Sequence, residues 1–392
     1  MDLSFNDDQK QLQDALVKYI ERDYGFERRR AYQGTAEGFS REVWAQFAEM
    51  GLLSLPFAEA DGGLGGGAAE MLVVMTAIGN GLMVEPYLAT VVLAGGAIAR
   101  AGSGAQKTEL LGGIAEGKLI AAVAFEEPGA RFNLAHVATT AKKAGAEYVL
   151  SGSKGVVLHG GQADWLVVSA RTSGHVADEK GISLFVVDRK ARGVSVRDYR
   201  TIDGLRAADI TFDGVRVPAG ALLGRKENEQ ENLEGAAFEV IDAVADAGVA
   251  ALCAEAVGVM ESLNRQTLEY IKGRQQFGVP IGSFQVLQHR AVDMFIHAEQ
   301  SKSMAYLAAI NAPVVCHSVG EAASVKERRR SVSAAKVHIG NSGRVVAQDA
   351  IQMHGGMGMT NELAAAHYAK RLTMIDFVLG DSAHHLSRFE AA

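Results

Sequence analysis

The segment Ile210-Thr-Phe-Asp-Gly-Val-Arg-Val-Pro218 alternates apolar and polar side chains on either side of Asp213-Gly214. Period-two alternation with β-branched residues predicts short strands at Ile210–Phe212 and Val215–Val217, and Asp-Gly predicts a tight hairpin between them. Working outward, similar runs occur at Val137–Ala141, Tyr148–Leu150, Trp165–Ser169, Ile182–Val187 and Val194–Val196. No helical period lies between them. Residues 119–222 are therefore expected to form an antiparallel β-barrel or sandwich rather than a βαβ sheet.

Both flanks read as helix. Leu12, Ala15, Leu16, Tyr19 and Ile20 recur at helical spacing, and Asn6 with Gln9 makes a capping-box start. Further helices are predicted over roughly 40–52, 68–82, 86–102 and 105–117. Beyond Pro218, residues 233–272 lack proline and read as one long helix or two collinear ones. Helices over about 283–311, 319–352 and 363–378 complete a bundle. The expected fold class is α+β multidomain. An all-α domain (1–118) precedes the β-domain (119–222), and a C-terminal four-helix bundle (223–392) follows.

Forty-six acidic against 39 basic residues give a net charge of −7, which argues against a broad nucleic-acid grip. Two cysteines, Cys253 and Cys316, are too few for a disulfide framework or a cysteine zinc site, and a reducing, cytoplasmic setting is expected. The acidic start is unlike a signal peptide, and no uncharged apolar run reaches membrane-spanning length. The cluster Gly62-Gly63-Leu64-Gly65-Gly66-Gly67 lacks the preceding strand that a dinucleotide-binding turn needs. Lys326-Glu-Arg-Arg-Arg330 reads as a solvated helical face, and the adjacent rings of His384-His385 diverge on a helix, so no metal site is expected.

Two segments carry more information: Arg274-Gln-Gln-Phe-Gly-Val-Pro-Ile-Gly-Ser-Phe-Gln285 and Ala350-Ile-Gln-Met-His-Gly-Gly-Met-Gly-Met359. With Glu127-Pro-Gly129, Gly204-Leu-Arg-Ala207 and Phe212-Asp-Gly-Val-Arg-Val-Pro218, they resemble the acyl-CoA dehydrogenase family over essentially the whole chain. Phe26-Glu-Arg-Arg-Arg30, Ala251–Gly258 and Gly380-Asp-Ser-Ala-His-His-Leu386 are similar, within that family, to small subunits of pimeloyl-CoA dehydrogenases. The resemblance implies FAD held at a subunit interface and α,β-desaturation of an acyl-CoA thioester. A glutamate takes the α-proton, and flavin takes the β-hydrogen as hydride.

The family's flavin site has two halves. Its adenosine and diphosphate end is held from the neighbouring subunit, and the positions implied here are Arg274, Phe277, Gln285, Gln352, Gly355 and Gly356. A guanidinium offers a planar, permanently charged fork to phosphate. Glycines let backbone N–H groups approach closely. The half that cradles the flavin ring and acyl chain differs at almost every position. The family's threonine is Glu126, its serine is near Phe132, its tryptophan and threonine are Val156 and Leu158, and its base is Leu379. The alternative base position is Gly248, with Val249 beside it. Leu158 cannot donate to a ring and Leu379 cannot accept a proton, while a charged Glu126 would oppose a reduced flavin anion.

Asp381 is the candidate displaced base, with helix capping as its alternative role. Glu255, roughly 10 Å along the helix from Gly248, is expected to pack or form a salt bridge. The retained half and the lost half together imply a subunit that completes the FAD site of a catalytic sister subunit in a heterotetramer. The electrons would pass to an external acceptor. The alternatives are a self-sufficient homo-oligomer using Asp381, a non-catalytic scaffold, and a flavin monooxygenase on the same fold.

Overall fold

A computed structural model describes residues 5–224, 233–312 and 324–392. Cys316 lies outside them. Six helices come first: α1 (Asp7–Asp23), α2 (Phe26–Gly34), α3 (Arg41–Glu49), α4 (Ala68–Gly81), α5 (Gly95–Ala101) and α6 (Gly104–Ala115). A π-helical turn, Leu88–Ala94, leads into α5. Asn6 and Gln9 make the reciprocal capping bonds at 2.8 and 2.9 Å. The glycine cluster follows a short 3-10 turn (Glu59–Asp61), and a Cβ at Gly63 would strike the Phe57 carbonyl at 2.1 Å. Its glycines fold the loop tightly onto residues 55–57.

The middle domain is one seven-stranded sheet of β1 (Ala121–Ala124), β2 (Thr140–Ala144), β3 (Glu147–Leu158), β4 (Trp165–Arg171), β5 (Ile182–Asp188), β6 (Val194–Arg200) and β7 (Arg206–Pro218). It is antiparallel except where β4 pairs with β1 and touches β2. The expected hairpin at Asp213-Gly214 is absent, because β7 runs straight through it. Leu150 pairs with Val215 and Gly152 with Phe212, so Asp213 and Gly214 together oppose Ser151. Gly214, at φ +61°, supplies the left-handed residue of a bulge, and its N–H donates to Ser151 Oγ at 3.3 Å. An Asp-Gly pair serves a bulge as readily as a turn, and only the partner strand distinguishes them.

The C-terminal helices are α7 (Phe238–Gly273), α8 (Gln285–Asn311), α9 (Val325–His354), α10 (Ala364–Phe377) and α11 (Ser382–Ala391). A small hairpin, β8 (Gln275–Gln276) and β9 (Val279–Pro280), joins α7 to α8. α7 is long and apolar enough to cross a membrane, yet 94% of its most apolar window is buried within the protein. It serves two cores: Ile241, Val244 and Ala251 join the core shared with the first helices and the sheet, while Leu252, Val259 and Leu263 join the bundle core. It meets α4 backbone to backbone, since a Cβ at Gly79 would sit 2.0 Å from the Glu255 carbonyl and one at Gly258 2.0 Å from that of Thr76.

The basic run at 326–330 is not a solvated face throughout. Arg328 is buried, bonding Asp242 and, at 2.7 Å, Asp246 of α7. Arg388 of α11 reaches the same two carboxylates at 2.6–3.0 Å. A one-dimensional helical wheel cannot show that α7 presents two acids to that face.

Candidate functional site

The loop after β1, the end of β3, α7 and the turn after α10 enclose a cavity with two lobes. The apolar lobe, about 190 Å³, is lined by Leu93, Phe125, Phe132, Leu158, Met374 and Leu379, among others. The polar lobe, about 230 Å³, opens along α7 and α11 past Asp246, Val249, Arg329, His384 and Arg388. Glu126, Phe132, Leu134 and Leu379 line both lobes and form the neck between them. The substituted positions Glu126, Phe132, Val156, Leu158 and Leu379, scattered through the sequence, thus meet at one place. Gly248 faces it too: a Cβ there would lie 2.6 Å from both Leu379 Cδ1 and Leu93 Cδ2. Leucines occupy the space a side chain at 248 would need.

The turn carrying Leu379 is held on several sides. Leu379 has φ +58°, a left-handed conformation costly for a branched side chain. The buried Lys336 ammonium donates to the carbonyls of Ile375 and Val378, both at 2.6 Å. A ring nitrogen of His385 bonds the Leu379 carbonyl at 3.0 Å. Asp381 caps α11, accepting from the His384 N–H at 2.8 Å, and lines neither lobe. Glu255 forms a two-bonded pair with Arg371 at 2.5 and 2.8 Å, and Arg371 also bonds Asp203 at 2.8 Å. That pair is structural.

Burial pushes the Glu126 carboxyl up to about 7, against the opposing pull of the Lys336 charge. At neutral pH the carboxyl is therefore only partly ionised, and the negative charge expected beside the ring position is weakened by the apolar surroundings. Burial likewise lowers Lys336 to about 8, and it lowers His384 and His385 below the usual imidazole range. At Asp242, burial works to raise the carboxyl, but Arg388, Arg329 and Arg328 together hold it below its usual range. Next to Glu126, Glu127 and Lys154 form a buried ion pair at 2.7 Å that locks the loop after β1 onto β3. Glu127 also accepts from the N–H groups of Ala138 and Thr139 at 2.6 and 3.0 Å. Sequence reading overlooked this clamp and the Lys336 clamp. Their signal is a lone lysine within an otherwise apolar run or helix face.

At the far end of α7 the picture reverses. Arg274, Phe277, Gln285, Gln352, Gly355 and Gly356 are all exposed. Phe277, at φ +56° in the β8–β9 hairpin, is 90% exposed, and its ring meets only the edge of Phe284 at 6.1 Å. Among the described residues, no ion pair or side-chain hydrogen bond is formed by Arg274. Tyr270 draws the two segments together, its ring 4.4 Å from that of His354 and its hydroxyl donating to the His354 carbonyl at 3.3 Å. Gly355 has φ +60°, and a Cβ at 355 or 356 would meet nothing within 4 Å. Arg274 lies 26 residues beyond Gly248, roughly 39 Å at helical rise. No single extended dinucleotide joins those two places within one chain.

Sequence profiles of the acyl-CoA dehydrogenase N-terminal, middle and C-terminal domains match residues 6–118, 122–215 and 238–391. The chain is 31% identical to the mitochondrial long-chain specific acyl-CoA dehydrogenase of Sus scrofa over 345 residues, covering 81% of this chain and 71% of the relative. It belongs to the acyl-CoA dehydrogenase family. Acyl-CoA dehydrogenases are FAD oxidoreductases acting on CH–CH bonds. The fold is similar to that of the ChsE4–ChsE5 complex from Mycobacterium tuberculosis (TM-score 0.85, 25% identity, 100% of this chain and 98% of that one). It is also similar to a variant of the Tcur3481–Tcur3483 steroid ACAD (TM-score 0.83, 28% identity, 98% and 97%). Tested against FAD, the two ends of this acyl-CoA dehydrogenase chain differ. The open glycine loop and unpartnered guanidinium fit a dinucleotide's phosphate end. The neck of the pocket offers a flavin ring none of the family's hydroxyl donors, and the family's two base positions there are Leu379 and Gly248.

Proposed function

We propose that this chain is one subunit of a flavin-dependent acyl-CoA dehydrogenase and that it completes the FAD site of a sister subunit carrying the catalytic glutamate. The observation that carries this reading is the bare, unpartnered Arg274–Phe277 end of α7, set far from a pocket whose reactive positions are leucines. When bound, FAD accepts the electrons of α,β-desaturation as hydride. This chain's part is to hold the ADP end. Arg274 would offer its guanidinium fork to the phosphates, and Gly355 and Gly356 would let the backbone N–H groups come close to them. Phe277 and Gln285 flank the adenosine side, with Gln352 on the loop.

The likeness to a complex of two differently named chains, ChsE4 and ChsE5, supports an assembly of unlike subunits. The similarity to small subunits of pimeloyl-CoA dehydrogenases and to a steroid ACAD supports a bulky or polar acyl group, dicarboxylyl or ring-bearing, as the substrate class. An electron-transferring acceptor and a cytoplasmic setting complete the proposal.

Arg274→Ala in the assembled complex is expected to weaken FAD binding by about 2–5 kcal/mol, by analogy with truncating one partner of a buried charge pair. An unchanged flavin dissociation constant overturns the reading. Asp381→Asn is expected to leave turnover near normal, since that carboxylate caps α11. A large loss of kcat there would instead favour a self-sufficient enzyme with a displaced base.

A further inference from the structure

Glu126 has a property that the proposed division of labour leaves unused. Among the described residues its carboxyl makes no hydrogen bond or ion pair with another side chain, whereas its neighbour Glu127 is fully engaged. Its backbone carbonyl alone is occupied, accepting from the Gly155 N–H at 3.0 Å. Among the described residues, Glu126 is also the sole polar side chain lining the apolar lobe, and it stands at the neck where that lobe meets the polar one. The Glu126 side chain is partly exposed at the neck, so water satisfies its carboxyl, and a ligand that takes that water's place must supply a hydrogen bond in its stead.

We propose that this chain's own pocket is a separate, non-reacting ligand site for a short apolar chain headed by an uncharged carbonyl, which Glu126, in its protonated form, recognises by donating its O–H. The inference rests on the reading that no flavin ring enters this pocket. The apolar lobe takes the chain, between Leu93, Phe125 and Met374. The carbonyl oxygen stops at the neck, and whatever follows the carbonyl leaves through the polar lobe. Leu379 opposite Glu126 removes the family's base from that neck, so the ligand is held and not deprotonated. An ionised Glu126 has no proton to donate, and an apolar chain laid against it would strip its water. Binding is therefore coupled to protonation.

The charges facing Glu126 set the window. Lys336 of α9 favours the carboxylate, but burial outweighs it and places the carboxyl at about 7. From α11 come His384 and His385, both lowered by burial, and Arg388. Arg388 is tied to Asp242 and Asp246 of α7, and Arg329 of α9 to Asp242, so these charges largely cancel. Glu179 lines the outer part of the polar lobe, and the Glu127–Lys154 pair behind the loop is internally neutralised.

Calorimetric titration of the full-length chain with hexanamide, whose own charge is constant with pH, tests this. If only the protonated form binds, the dissociation constant rises about tenfold from pH 6 to pH 8, following the competent fraction. Glu126→Gln, which keeps an N–H donor and cannot ionise, is expected to bind within twofold of the pH 6 affinity at both values. Leu379→Trp, which fills the neck, is expected to abolish binding. Wild-type binding that is absent or flat with pH overturns the proposal, as does a Gln variant that keeps the slope. Hexanoyl-CoA in the same titration separates the sources. Tighter binding than hexanamide marks a CoA thioester as the natural ligand; equal or weaker binding marks a free acyl compound, with the site itself sustained either way. Displacement of flavin absorbance by hexanamide would overturn the underlying reading too. By contrast, a null titration with Arg274-dependent flavin binding intact would sink this proposal alone.

Discussion

At Gly248, one end of α7's working length, two leucine methyl groups stand where a Cβ would go; at Arg274, the other end, a phenylalanine lies 90% in water. The first region is closed on itself by packing, ion pairs and lysine-to-carbonyl bonds. Among the described residues, the second spends a left-handed phenylalanine and an unpaired guanidinium on nothing beyond the edge of Phe284. Folding of one chain accounts for the first region apart from the Glu126 carboxyl. It does not account for the second, because exposed aromatic surface and an idle cation gain nothing in water. On the readings proposed above, the first end serves this chain's own stability and ligand and the second serves something outside it.

The contrast breaks most sharply at the pocket's back wall. Glu127→Ala leaves the Lys154 ammonium buried without a counter-charge, and a loss of about 3–5 kcal/mol is expected in denaturant unfolding. A loss under 1 kcal/mol would mean that the loop after β1 is not clamped as described.

Glu126 gives the next largest effect, with a sign set by pH. Burial raises its carboxyl from 4.5 to about 7 in the folded state, so the native protein binds that proton more tightly than the unfolded chain. Its contribution is therefore fully present below about 4.5 and lost as pH climbs through about 7. Glu126→Gln removes this decline and is expected to gain about 2–3 kcal/mol over wild type at pH 8, with little difference near pH 4. Glu85, also raised to about 7 by burial, keeps a parallel slope in the variant. Unfolding curves at the two pH values check both arms.

Gly248→Ala pushes a methyl into Leu379 and Leu93 and is expected to cost about 1–3 kcal/mol. Adding Leu379→Ala should recover much of that cost, giving a favourable coupling in a double-mutant cycle. Strict additivity would show that the two residues are not knob and notch. The smallest effect belongs to the open end. Phe277→Ser and Arg274→Ala are each expected to change the stability of the free chain by no more than about 0.5 kcal/mol. A substantial loss there would mean that this surface belongs to the fold after all.

Most of the architecture was legible in the chain itself. Proline-free, Ala- and Val-rich sequence gave α8 to within two residues and the end of α7 to within one, though it began α7 five residues early and left open a break in it, and β-branched runs located six of the seven strands. Two errors share a cause. Asp213-Gly214 reads as a hairpin until β3 is laid beside it, and Arg328 reads as solvated until α7 presents Asp242 and Asp246. Strand β1, four residues of alanine and valine, carries no alternation to announce it, because it is nearly buried on both faces.

Residue chemistry by itself determined that Leu379 and Leu158 cannot move protons or donate hydrogen bonds, and that Arg274 carries a permanent charge. Those properties belong to the side chains wherever they sit. Tertiary structure alone decided that Glu126, Phe132, Leu158 and Leu379 line one pocket, that Lys336 clamps the Leu379 turn, and that burial lifts the Glu126 carboxyl toward neutrality. Distance, packing and desolvation act between residues far apart in the chain, and only the folded protein brings them within range.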